Sequence, residues 1–203
     1  MTAPMLSSVP MFPVGSGTVL VGAGVWLLAA AVVGASVLLG AARPPLPQAV
    51  LIVLTAAILA LFWTPGLFRR WALTVDLRAL VLIHVTRFVG IYFLVLYGRG
   101  ELPYPFAVPG GWGDIAVATA ALAVALASKP DTTTGRRVIM AWNVFGLWDI
   151  LFVVVTATRL GLDDPQSMRA LLRLPLSLLP TFLVPIIIAT HVIIFCRLQS
   201  RVR

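Results

Sequence analysis

The chain has 203 residues, of which 60% are apolar and 11% charged, and its mean hydropathy is +1.02. A soluble domain of this length needs more polar surface than that, so the medium around most of the chain is lipid. The net charge of +8 comes from basic residues in short loops between apolar runs, which marks membrane topology and not a nucleic-acid surface.

A hydrocarbon core about 30 Å thick takes about 20 helical residues to cross. Six runs meet or approach that length, at residues 17–41, 47–64, 79–98, 108–128, 138–158 and 176–196. None alternates with the period of two that marks a barrel strand, so the expected fold is all-α, a polytopic bundle of six transmembrane helices. Residues 1–16 read as a loose lead, 17–197 as one six-helix transmembrane domain and 198–203 as a basic tail.

The first run is far longer than the roughly 7–15 residues of a signal-peptide core, so it reads as a retained span. Its Gly22, Gly24, Gly34 and Gly40, like Ala116, Ala120, Ala121, Ala125 and Ala127 of the fourth run, predict close helix packing at the bundle centre. Between the second and third runs, Leu67, Phe68, Trp71 and Leu73 interleave with Arg69 and Arg70, which suits a short interfacial segment among anionic lipid head groups. The segment Phe106–Asp114, with three glycines and Pro109, predicts a chain that folds back at the interface before the fourth helix begins, with Asp114 near its N-terminal end. Asp164 before Pro165 predicts the start of a short helix. Pro175, Pro180 and Pro185 predict a kinked or opened final span whose freed backbone faces protein or a cavity. The lone Cys196 excludes an internal disulfide. The two halves share no motif that would mark an inverted repeat.

Loop charges set the orientation. One side collects nine basic residues, Arg69, Arg70, Arg78, Lys129, Arg136, Arg137, Arg197, Arg201 and Arg203, and the other collects five, Arg43, Arg99, Arg159, Arg169 and Arg173. The excess predicts both termini in the cytoplasm, although Arg43 directly after the first span pulls the other way.

Arg87 lies in the middle of the third run, where an ionised side chain costs on the order of 3 kcal/mol or more and needs a partner. At 1.5 Å per residue it lies about 13 Å from Arg78, and Asp149 lies about 18 Å from Arg137, so the two share a depth and predict an ion pair between the third and fifth spans. His84, Asn143 and His191 each stand six residues, about 9 Å, from Arg78, Arg137 and Arg197, and form a second polar level. His84 and Arg87, three apart, project from one helix face. Two histidines at one depth raise a b-type haem held by His84 and His191 as an alternative, without further motif support. Trp112 and Asp114 read either as an interfacial Trp anchor beside a helix N-cap or, with Glu101 and Tyr104, as the mouth of a pocket. No nucleophile motif and no catalytic carboxylate spacing is present, and no metal site is indicated.

The segments Phe106–Asp114, Ala141–Asp149 and Leu179–Pro185, followed by His191, resemble a family of small bacterial inner-membrane proteins without an assigned activity. The likeness covers residues 78–196 and leaves the first two spans unmatched. It implies a multi-pass protein of the bacterial inner membrane and singles out Arg87, Asp114, Asn143, Asp149 and His191.

The expectation is a non-enzymatic membrane protein that binds or passes a small anionic solute or lipid-like ligand at Arg87, Asn143, Asp149, His191, Asp114 and Trp112, and that forms homo-oligomers. The alternatives are a haem-binding electron carrier, an enzyme acting on lipid with Asp114 or His191 as acid or base, and an accessory subunit of a larger membrane assembly.

Overall fold

The computed structural model describes residues 15–36 and 42–200, so most of the lead and the last residues of the tail lie outside the described residues. In chain order the long elements are α1 (Ser16–Ala35), α2 (Leu46–Trp63), the short α3 (Leu67–Thr74), α4 (Leu77–Gly98), α5 (Tyr104–Ala127), α6 (Thr133–Asp163) and α7 (Leu179–Ser200). Six of them, all but α3, are long and apolar enough to cross a membrane. No strand occurs among the described residues.

Local chemistry sets the helix ends. Pro47 and Pro105 stand in the first turns of α2 and α5, where the missing N–H would lack a helical partner anyway. The Thr132 hydroxyl caps α6 by accepting from Gly135 N at 3.0 Å. Successive spans alternate in direction. Ser16, Ser128 and Ser200 therefore share what we term the terminal face, and the connections before α2, α5 and α7 share the opposite face.

The centre of the bundle is α4, α5, α6 and α7, with α5 packed against both α4 and α6 and α2 lying along α7. Ala118, Ala121 and Ala125 of α5 are buried there. The expected central position of α1 is not observed. Gly22 and Gly24 face open space, and Leu20, Val21, Val25, Leu28 and Val32 are exposed. This helix touches the bundle along one edge, through the Trp26 indole donating to Thr181 O at 3.0 Å and Gly34 against Ser177. Its small residues therefore bring no backbone close at those two positions, and its apolar surface meets lipid.

The α4 helix changes its winding where its charge lies. Ile83–Val89 is a 3₁₀ segment, in which residues three apart eclipse one another. His84 and Arg87 accordingly stack on one buried face, and Val81, Gly90, Phe93 and Leu96 of the flanking α-helical turns are buried as well. In α7 the prolines open the first turn into a π-helical stretch, Leu179–Leu183, before regular helix resumes at Val184.

Two expected loops are built differently. Phe106–Asp114 does not fold back at the interface. It is continuous helix from Tyr104, with Pro109 inside, and Asp114 lies in the third turn. The glycines explain this. A Cβ at Gly111 would stand 2.8 Å from Gly90 O, and one at Gly90 would stand 2.5 Å from Gly111 O, so both serve a close crossing of α4 and α5. The segment after Asp164 forms turns and then a 3₁₀ helix only at Arg169–Leu172. The Asp164 carboxylate accepts from Gln166 N at 2.9 Å, closing a local Asx turn in place of capping a longer helix.

On the terminal face α3 carries exposed Arg69 and Arg70 and buries Ala72. It is fastened to α7 by Arg197, which donates to Val75 O at 2.6 Å and Ala72 O at 3.2 Å.

Candidate functional site

Arg87, 1% exposed, is the centre of the polar interior. Its Nε donates to Asp114 Oδ1 of α5 at 2.6 Å, Nη1 donates to the Gly146 carbonyl of α6 at 2.9 Å, and Nη2 pairs with Asp149 Oδ2 of α6. The ion pair expected between the third and fifth spans is thus present, and Asp114 of the fourth joins it. Asp114 and Asp149 are both buried. A buried cation left unpaired is far more costly than one in such a network. The close approach of Asp149 to α5 depends on Gly113, because a side chain there would collide with the Asp149 carboxylate.

A second layer lies on the terminal-face side. Asn143 Nδ2 donates to His191 O at 3.1 Å, so its Oδ1 accepts from His191 Nδ1 at 2.8 Å. Thr190 Oγ1 lies 2.9 Å from the Ile186 and Ile187 carbonyls, which take its proton, and it accepts from His84 Nε2 at 3.1 Å. These assignments leave His84 Nδ1 and His191 Nε2 as buried acceptors with no hydrogen-bond partner among the described residues. The two rings are in contact at a centroid distance of 4.2 Å, and Trp142 closes the group edge-on to His84 at 4.9 Å. Gly146 joins the layers. Its carbonyl meets Arg87, and a Cβ on it would stand 2.7 Å from His191 Cε1.

The two imidazoles do not fit as axial ligands of one haem b. Axial ligands lie on opposite sides of the macrocycle with metal–nitrogen bonds of about 2 Å, which places their ring centroids about 6 Å apart. Rings at 4.2 Å leave no space for a porphyrin between them. No cluster of three or more His, Cys, Asp or Glu suited to a metal ion occurs among the described residues.

A cavity of about 210 Å³ leads to the first layer from the opposite face. Gln48, Gly161 and Met168 stand at its mouth, Phe93, Phe106, Val153 and Leu183 along its walls, and Arg87 and Asp114 at its inner end. Along α6 the lining runs from Gly161 to Ile150, about 16 Å at 1.5 Å per residue. The π-helical turn of α7 contributes Leu179, Pro180 and Leu183, so the backbone opened by the prolines does face a cavity. Beyond the histidines the path is closed by Val81, Val117, Ala121, Ile139, Ile193 and Ile194, all at most 1% exposed.

Of the residues singled out from sequence, Arg87, Asp114 and Asp149 form the first layer and Asn143, His84 and His191 the second. Trp112 is 61% exposed, two residues along the helix from Asp114 and therefore on the other side of α5. Glu101 and Tyr104 are exposed as well, so the pocket mouth expected around them lies instead between α2, α6 and the segment after Asp164. Asp114 is at the closed end of the cavity and not at its opening. Sequence reasoning missed Thr190, Trp142 and the contact glycines Gly90, Gly113 and Gly146. The one signal available was the placement of Gly146 three residues before Asp149, on the same helix face.

Six apolar spans around a buried ion cluster define a multi-pass integral membrane protein. The chain belongs to the family described as Domain of unknown function (DUF8737), whose match covers residues 44–199. That match includes α2, every residue of the cluster and all of the cavity lining except Ala42, and it leaves α1 outside. No curated protein and no solved structure matches the chain.

Proposed function

We propose that this protein binds a lipid-like molecule, with an extended apolar chain in the cavity and a single polar end at Arg87 and Asp114. The observation that carries this is a cavity lined mostly by apolar side chains over about 16 Å of α6, with Arg87 and Asp114 as the charged side chains in its lining. Its 210 Å³ is below the roughly 300–1,000 Å³ of drug-sized sites, which suits one chain better than a folded solute. The apolar layer beyond the histidines favours binding from one side over an open pore. In this proposal Asn143 and His191 support the site from behind, and the role is binding without covalent chemistry. The excess of basic residues on the terminal face supports an orientation with that face in the cytoplasm, and the resemblance noted from the sequence supports a bacterial inner membrane.

The test is mass spectrometry of lipids retained by protein purified gently from its native membrane, beside a variant whose cavity is filled by Val153→Trp. Enrichment of a single-chain lipid in the wild type and its loss in the folded variant supports the proposal. Identical lipid profiles for the two proteins contradict it and leave Arg87 with Asp114 and Asp149 as a device that fixes helix packing.

A further inference from the structure

The buried cluster holds two carboxylates and one cation, and we infer from this that the cavity takes a cationic amphiphile, a long-chain ammonium, in exchange for a proton held by the cluster. The inference rests on the proposed reading of the cavity as a chain-binding site and names the end group that site selects.

The charges can be counted element by element. Arg87 of α4 supplies one positive charge, and Asp114 of α5 and Asp149 of α6 supply two negative ones. The other titratable groups facing the cluster are His84 of α4 and His191 of α7, both 0% exposed and each engaged through one ring nitrogen. On the cavity side α2 contributes Gln48, which is neutral. A net negative charge surrounded by apolar side chains and lipid is strongly disfavoured, so the empty site is at rest when it carries one proton.

The geometry then discriminates among end groups. An anionic end group would add a third negative charge and would compete for Arg87, whose Nε, Nη1 and Nη2 are each directed at a protein acceptor. A cationic end group needs no pair to break. Asp114 lines the cavity, is 3% exposed, and binds Arg87 through Oδ1 alone. Its Oδ2 accepts no hydrogen bond among the described residues. When a primary ammonium arrives, the carboxyl O–H bond breaks, the proton leaves through the cavity mouth to water, and an ammonium N–H donates to the freed carboxylate. One positive charge enters and one leaves, so the buried site stays neutral.

The experiment uses the full chain in phosphatidylcholine nanodiscs with three probes of equal chain length, dodecylamine, dodecanol and laurate. Binding is read by native mass spectrometry and proton release by a pH indicator in weak buffer. Dodecylamine, like a lysine ammonium of pKa about 10.4, stays charged below pH 8. It is expected to bind in preference to the other two, to release about one proton per molecule bound, and to weaken about tenfold per unit as pH falls through the range where the site is protonated. Asp114→Asn is expected to lose both signals, and proton release from the wild type decides the matter even where that variant fails to fold. Binding of laurate or dodecanol as tight as that of the amine, or amine binding without proton release, overturns the inference and leaves the chain-binding proposal standing. Binding of none of the three above the level of the Val153→Trp variant overturns both.

Discussion

Arg87 Nε meets Asp114 Oδ1 at 2.6 Å across two helices whose backbones touch at Gly90 and Gly111. The salt bridge and the glycine contact are parts of one arrangement. Arg87 and Gly90 of α4 present its charge and its smallest residue to the same face of α5. Three spans are thereby tied together around one guanidinium.

Removing that cation is expected to be more damaging than removing the whole cluster. Arg87→Gln leaves Asp114 and Asp149 buried without a counter-charge and should destabilise the protein by about 3–5 kcal/mol. The triple variant Arg87→Gln, Asp114→Asn, Asp149→Asn leaves no buried charge and should recover most of that loss. Thermal unfolding of both proteins in the same detergent measures the difference, and equal melting temperatures would contradict a paired network.

The helix crossing predicts opposite outcomes for two sets of glycines. Gly90→Ala and Gly111→Ala each push a methyl group into a backbone oxygen of the facing helix, at 2.5 and 2.8 Å, and should each destabilise by about 1–3 kcal/mol. Gly22→Ala and Gly24→Ala meet nothing within 4 Å and should be neutral or slightly stabilising through helix propensity. Melting curves of the four single variants would reveal any departure from this division.

The second polar layer depends on one amide. Asn143→Ala removes the acceptor of His191 Nδ1, leaving that buried donor unpaired at about 1–3 kcal/mol, while His191 O keeps its place in the helical hydrogen-bond ladder of α7. Diethylpyrocarbonate labelling of His84 and His191, both shielded in the folded wild type, should become detectable in this variant. Unchanged protection would show that Trp142 and the helix packing hold the rings without Asn143.

Arg197 predicts a local effect away from the site. Arg197→Ala frees the Ala72 and Val75 carbonyls, so α3 should lose its anchor to α7 while the transmembrane core stays folded. Hydrogen exchange over residues 67–76 is expected to quicken in the variant, with protection of α5 and α6 retained.

The sequence by itself determined the class of fold, the number of spans and the shared depths of Arg87 with Asp149 and of His84 with Asn143 and His191, but not the depth of Asp114. Each of these follows from composition and from a fixed rise per residue along one helix. That is why Arg87 and Asp149, and separately His84, Asn143 and His191, were legible as two levels. Rotation about each helix axis and the choice of neighbours depend on contacts between helices, which no single run of residues encodes, and only the tertiary structure decided them. It turned Trp112 outward and Asp114 inward, moved α1 to the edge despite its glycines, and made the glycines of Phe106–Asp114 a helix crossing in place of a loop. It also enclosed a cavity whose lining comes from six separate stretches of chain, and the approach of those stretches is set by side-chain packing, not by any motif along the sequence.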